Sequence, residues 1–112
     1  MNKTNRTSTL DKLIGLIRDT SSSLPADVEK ALRKALKGEK PGSSAAVVLK
    51  TILENVALAR KMETPLCQDT GTLTFFVNES LRRRVTPQLI KKAVAEATAK
   101  IYLYSGLSSI SP

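Results

Sequence analysis

The chain has no histidine, and its 112 residues hold a single cysteine. Without histidine, the usual partner of a nucleophilic cysteine is absent. One thiol closes no internal disulfide and completes no metal site alone, so a reducing, cytoplasmic compartment is expected. Two Phe and two Tyr supply all the aromatic bulk, which predicts a modest, aliphatic core. No run approaches the roughly 18 apolar residues that a membrane span needs, and no membrane partner is expected. The first residues lack the apolar stretch of a secretory signal. Asn2 to Thr9 carry Lys3 and Arg6 with no acid, a faint transit-peptide character for which a frayed tail is the simpler expectation. Acid is scarce throughout: 18 Lys and Arg face 10 Asp and Glu, for a net charge of +8. Such a balance attracts anions, among them nucleic acid, acidic lipid and carboxylate or phosphate metabolites. The basic residues are dispersed except at Arg82, Arg83 and Arg84. No stacking aromatics interleave that triplet, so it reads as a solvated loop and no nucleic-acid partner is expected.

What is present is mainly helical pattern. Leu10, Leu13, Ile14 and Ile17 recur at helical spacing, with Thr9 or Ser8 placed to cap the first turn. Thr20 to Ser23 break the pattern. Pro25 suits a first helical position, and Asp27 and Glu29 complement the positive end of the dipole that follows. Val28, Ala31, Leu32, Ala35 and Leu36 form the stripe of this second helix, and Gly38 ends it. Pro41 to Ser44 is a turn that also supplies a cap. Ala45 to Lys61 are apolar over most of a helix circumference, through Val47, Val48, Leu49, Ile52, Leu53, Val56, Ala57 and Leu58. A helix of that kind expects burial on more than one side, and this chain offers few elements to cover it. Leu73 to Val77 reads as a strand between Gly71 and Asn78. Thr86 and Pro87 open the last helix, whose buried face is expected to be Ile90, Ala93, Val94, Ala97 and Ile101. The predicted class is α+β: a mainly helical region with a cysteine-bearing loop leading into a short strand. Its organisation is expected as a tail and first helix over 1–20, a main region over 21–103 and an atypical tail over 104–112.

The cysteine lies in the stretch TPLCQDTGT, Thr64 to Thr72. Pro65 stiffens the approach and pushes Thr64 toward an extended conformation. Gly71 permits a positive backbone angle or a close ligand approach. Cys67 as thiolate can ligate iron or zinc, or act as a nucleophile. The Gln68 amide can hydrogen-bond a carboxylate or hydroxyl. Asp69 can accept a proton or orient a neighbour, and Thr70 and Thr72 can donate to an anion. The plain alternatives are equally physical. A lone cysteine beside a strand is more often a small buried hydrophobe, and Asp69 before Thr70 and Gly71 can be a turn bonding its own backbone.

Taken with its neighbours, the loop resembles a known family. LENVALAR (53–60), PLCQDTGT (65–72) and FFV (75–77) are similar to the class I fumarate hydratase and L(+)-tartrate dehydratase alpha-subunit family. The resemblance runs with decreasing clarity from about Leu24 to Leu103, and includes Glu96 to Thr98 and the pair Tyr102 and Leu103. It implies an oxygen-sensitive 4Fe-4S hydro-lyase that reversibly adds or removes water, fumarate to malate or tartrate to oxaloacetate. In that family three cysteines hold the cluster and one iron stays open as a Lewis acid for the substrate. The resemblance makes Cys67 the first ligand. It makes Gln68, Asp69 and Thr70 substrate contacts, with Asp69 also catalytic. It further implies a C4 dicarboxylate substrate, and either a homo-oligomer or a separately encoded beta subunit.

The sequence also departs from the family. The second and third cysteines have no counterpart here, and Tyr104 stands where an arginine is expected after Tyr102 and Leu103. One thiolate holds a cubane poorly, so the cluster is not expected to be stably held by this chain alone. A truncated gene, a shifted reading frame or a fragmentary gene would each account for the pattern. Two other function classes stand beside an inactive N-terminal hydro-lyase fragment: a small basic nucleic-acid-binding module, and a structural or interaction subunit that covers the over-apolar third helix.

Overall fold

The computed structural model describes residues 2–67 and 72–103, with side chains described from Thr9 onward. Four α-helices form in the order α1 (Asn2–Ser22), α2 (Ala26–Gly38), α3 (Ser44–Met62) and α4 (Pro87–Ala99), with a 3-10 turn at Glu79–Leu81. They associate as two pairs, α1 with α4 and α2 with α3, and α1 also touches α3. None of the helices among the described residues is long and apolar enough to cross a membrane.

Each terminus has a local cause. Ser43 caps α3, its Oγ accepting the Ala46 N–H at 3.2 Å. Thr86 caps α4, with Oγ1 accepting the Leu89 N–H at 3.2 Å and Pro87 in the first turn. Pro25 precedes α2 as its N-cap, one residue before the position expected for it, and the first turn carries Asp27 and Glu29. Between α2 and α3 the Ser43 N–H returns to the Lys40 carbonyl at 3.0 Å, and Gly42 takes a φ of 81°. Proline second and a left-handed residue third make a type II turn, a conformation that favours glycine at position 42.

α1 departs from the sequence-based expectation at its start. Neither Ser8 nor Thr9 caps it, because the helix already runs from Asn2, where a frayed tail was expected. The apolar period begins only at Leu10, and a helix nucleated on its packed half propagates into polar residues that show no period. At the other end Ser22, 3% exposed, donates its hydroxyl to the Arg18 carbonyl at 2.6 Å.

The core lies between α1 and α4. Leu13, Ile14 and Ile17 meet Ala93 and Ala97, and Leu10, Phe75, Val85, Leu89, Val94, Tyr102 and Leu103 close over them. Ala93 and Ala97 are both 0% exposed, and their small side chains let α4 lie close against the larger residues of α1. α2 has no buried residue, and α3 buries Ala46, Leu53, Val56 and Ala59 while Val47, Val48, Ile52, Leu58 and Met62 face solvent. The expectation that α3 is more apolar than this chain can cover is met.

Two further expectations need correction. No strand forms among the described residues, so the α+β class gives way to a helical one there. Within residues 73–77 Phe75 packs on the core and Phe76 is 95% exposed, the contrast a strand would show, but Leu73 and Val77 are exposed as well and no ladder forms. β-pattern specifies a face; a strand also needs a neighbour to take its backbone hydrogen bonds, and the described helices offer none. Ile101 is 62% exposed instead of buried, because α4 stops at Ala99 and the chain reverses with Ile101 at φ 65°. The expected tail over 104–112 lies outside the described residues.

Candidate functional site

The candidate loop begins where α3 ends. Glu63 takes a left-handed φ of 54°, and the Thr64 N–H reaches back to the Ala59 carbonyl at 3.1 Å. This six-to-one return stops the helix and turns the chain without glycine. Pro65 follows with its fixed φ. The Leu66 N–H then donates to the Ser21 carbonyl on α1 at 2.8 Å. The Leu66 carbonyl in turn accepts from Asn55 Nδ2 on α3, also at 2.8 Å. Cys67 comes next and is an exposed free thiol, which removes the reading of a small buried hydrophobe. Gln68, Asp69, Thr70 and Gly71 lie outside the described residues, so the proposed substrate contacts are not placed. Thr72 is exposed where the description resumes.

A cleft of about 250 Å³ lies beside the last turns of α1, lined by Leu16, Ile17, Thr20, Ser21 and the segment Leu73–Phe76. Ser21 therefore belongs both to the cleft wall and, through its carbonyl, to the support of the cysteine loop. The lining is apolar with hydroxyls from Thr20, Ser21 and Thr74. No group of three or more His, Cys, Asp or Glu gathers among the described residues.

Charge is organised where α2 meets α3. Glu29 on α2 accepts from Arg60 of α3 at 2.7 Å and from Arg33 at 3.0 Å. The hydrogen bond from Arg60, then that from Arg33, holds the Glu29 carboxyl below its ordinary range. Arg82, Arg83 and Arg84 are all exposed in the turn after the 3-10 segment, as the solvated reading expects. Arg82 pairs with Glu79 at 3.2 Å, with both side chains mostly in water, where such pairs contribute little.

Sequence reasoning found Cys67 but passed over Asn55 and Ser21. Asn55 carried a signal: it is a short amide inside a helix otherwise crowded with apolar residues. Ser21 carried none, since it acts through its main-chain carbonyl.

Residues 11–108 match the family described as fumarate hydratase (fumerase). A Geobacillus stearothermophilus protein named as a fumarate hydratase class I is 40% identical over 90 residues, covering 79% of this chain and 18% of that protein. The L(+)-tartrate dehydratase subunit alpha of Escherichia coli K12 is 32% identical over 107 residues, covering 89% of this chain and 35% of the relative. A Methanocaldococcus jannaschii protein named for the same subunit is 35% identical over 99 residues, covering 83% of this chain and 34% of its own length. The chain thus spans from 18% to 35% of the length of these curated relatives.

Proposed function

From the premise that the chain belongs to the fumarate hydratase family, we propose that it corresponds to the N-terminal part of a 4Fe-4S hydro-lyase. Its substrate class is a C4 dicarboxylate, hydrated or dehydrated reversibly, as fumarate/malate or tartrate/oxaloacetate. Cys67 supplies one cluster thiolate, Gln68, Asp69 and Thr70 contact the substrate, and Asp69 takes part in the proton chemistry. The observation that carries this reading is the family match over 11–108, which encloses Cys67. An exposed thiol on a loop tied to two helices supports it.

The donor set of this chain does not fit a whole cluster. A cubane held by three cysteines needs two thiolates more than the one available, and no histidine can substitute. The chain by itself is therefore proposed to be inactive. The remaining ligands would come from elsewhere in the assembly. Relatives that carry the name of an alpha subunit support a separately encoded beta subunit as partner; a homo-oligomer is the other arrangement. The main region is proposed to run over 21–103.

Anaerobic reconstitution with iron and sulfide tests this. The isolated chain should give little stable cluster absorbance and no turnover of fumarate or L-tartrate. A stable cluster with turnover in a monomer would overturn the inactivity, and Cys67→Ser should abolish whatever iron is retained.

A further inference from the structure

We propose that Asn55 is a positioning residue for Cys67: its side-chain amide fixes the peptide plane from which the cysteine departs. The carbonyl that Asn55 Nδ2 holds at 2.8 Å is that of Leu66, part of the same planar unit as the Cys67 nitrogen and Cα. The preceding plane is held from the other side, where the Leu66 N–H donates to the Ser21 carbonyl at 2.8 Å. With the planes on both sides of Leu66 tied, its two backbone angles have little freedom left. Upstream, Pro65 has a fixed φ, and the Thr64 N–H is bonded to Ala59. The approach from the end of α3 to Cys67 is thus held at several points, and among the described residues Asn55 is the side chain that contributes to the hold.

The two anchors come from different helix pairs. Ser21 belongs to α1, which packs on α4, and Asn55 belongs to α3, which packs on α2. The Cys67 Cα is therefore referenced to both pairs at once. A thiolate that must meet iron at a fixed distance gains from that, because a ligand held in place loses less freedom on binding.

The consequence for ligation rests on the reading of Cys67 given above; the positioning itself can be measured without iron. In Asn55→Ala the Leu66 amide proton, itself bonded to Ser21 and followed by NMR hydrogen exchange, should exchange faster by at most roughly fivefold, the factor for full transmission of one lost hydrogen bond of typical net worth through the same residue. A nitroxide attached to Cys67, the only thiol in the chain, should become more mobile. The interior amides of α3 should be unchanged or better protected, since alanine favours helix over asparagine. Asn55→Gln, which keeps the donor, should restore part of the protection. Asn55→Asp, which replaces the donor with an acceptor facing a carbonyl, should not. Unchanged mobility of the nitroxide at Cys67 in Asn55→Ala overturns the assignment, and so does faster exchange spread equally along α3. A chain that shows the Asn55 effect yet loses no iron on Cys67→Ser leaves the positioning standing and removes the ligand reading alone.

Discussion

The seam between α1 and α4 makes a quantitative demand on one methyl group. Ala93 is 0% exposed, in the middle of α4 and against Leu13, Ile14 and Ile17, whereas Ala95 on the same helix is exposed. Ala95→Gly should lose only helix propensity, about 1 kcal/mol. Ala93→Gly should lose that and one buried methyl, about 0.8 kcal/mol more, for about 1.8 kcal/mol. If the neighbours fail to close over the gap, the residual cavity adds a further few tenths. Urea unfolding followed by far-UV circular dichroism resolves the pair. With a slope of about 1.5 kcal/mol/M, the midpoints should fall by about 1.2 M for Ala93→Gly and about 0.7 M for Ala95→Gly. The reverse perturbation should also destabilise: Ala93→Leu overfills the contact and costs about 1–3 kcal/mol. Equal losses at 93 and 95 would refute the packing of α4 on α1 through its alanines.

The Glu29 carboxyl, ordinarily near 4.5, is lowered by Arg60 and Arg33. A lowered folded value means that the native state holds its proton less tightly than the unfolded one. The pair's stabilisation is then complete above the ordinary value and fades as pH falls through the folded one. Urea midpoints measured from neutral pH down through that range should drop less steeply in Glu29→Gln than in the parent; parallel curves would remove the assigned role of the α2–α3 tie. Glu63 at φ 54° carries a left-handed strain of roughly 1–2 kcal/mol that glycine lacks. Allowing for the extra freedom glycine gives up, Glu63→Gly should gain about 0.5–1 kcal/mol in a thermal melt, and a loss would mean the Glu63 side chain contributes something its backbone position does not reveal.

Much of the helical frame was legible because its signals are local. Ser43, Thr86 with Pro87, and Gly38 mark ends that depend on a few neighbouring atoms, and the apolar spacing of Leu13, Ile14 and Ile17 names a face without naming its partner. Residues 73–77 misled for a related reason. Phe75 inward and Phe76 outward is a strand's alternation, but pairing is a property of two segments, and one segment cannot declare it. Ile101 misled because its apolar character extends the α4 stripe, while the return of the Tyr102 N–H to the Ala97 carbonyl at 3.0 Å ends the helix before it. At the site, Cys67 announced itself by chemistry and by its neighbours in sequence. Ser21 did not, because a main-chain carbonyl looks the same in every residue type.

The pairing of helices also sets an order of events. α2 and α3 are joined by the short turn around Gly42, so closing that hairpin loses little chain entropy. α1 and α4 are separated by everything from Ser23 to Thr86, roughly sixty residues, and their closure costs about 2 kcal/mol more on loop length alone. In a chain emerging from synthesis, Asn55 can meet the loop as soon as α3 forms. The hold from Ser21 needs α1 docked beside α3, and α1 is pinned on its other contact only when α4 arrives. The thiol is thus exposed to solvent and oxidant before its backbone is fully set, and the interval is governed by how quickly Ala93 and Ala97 find Leu13, Ile14 and Ile17.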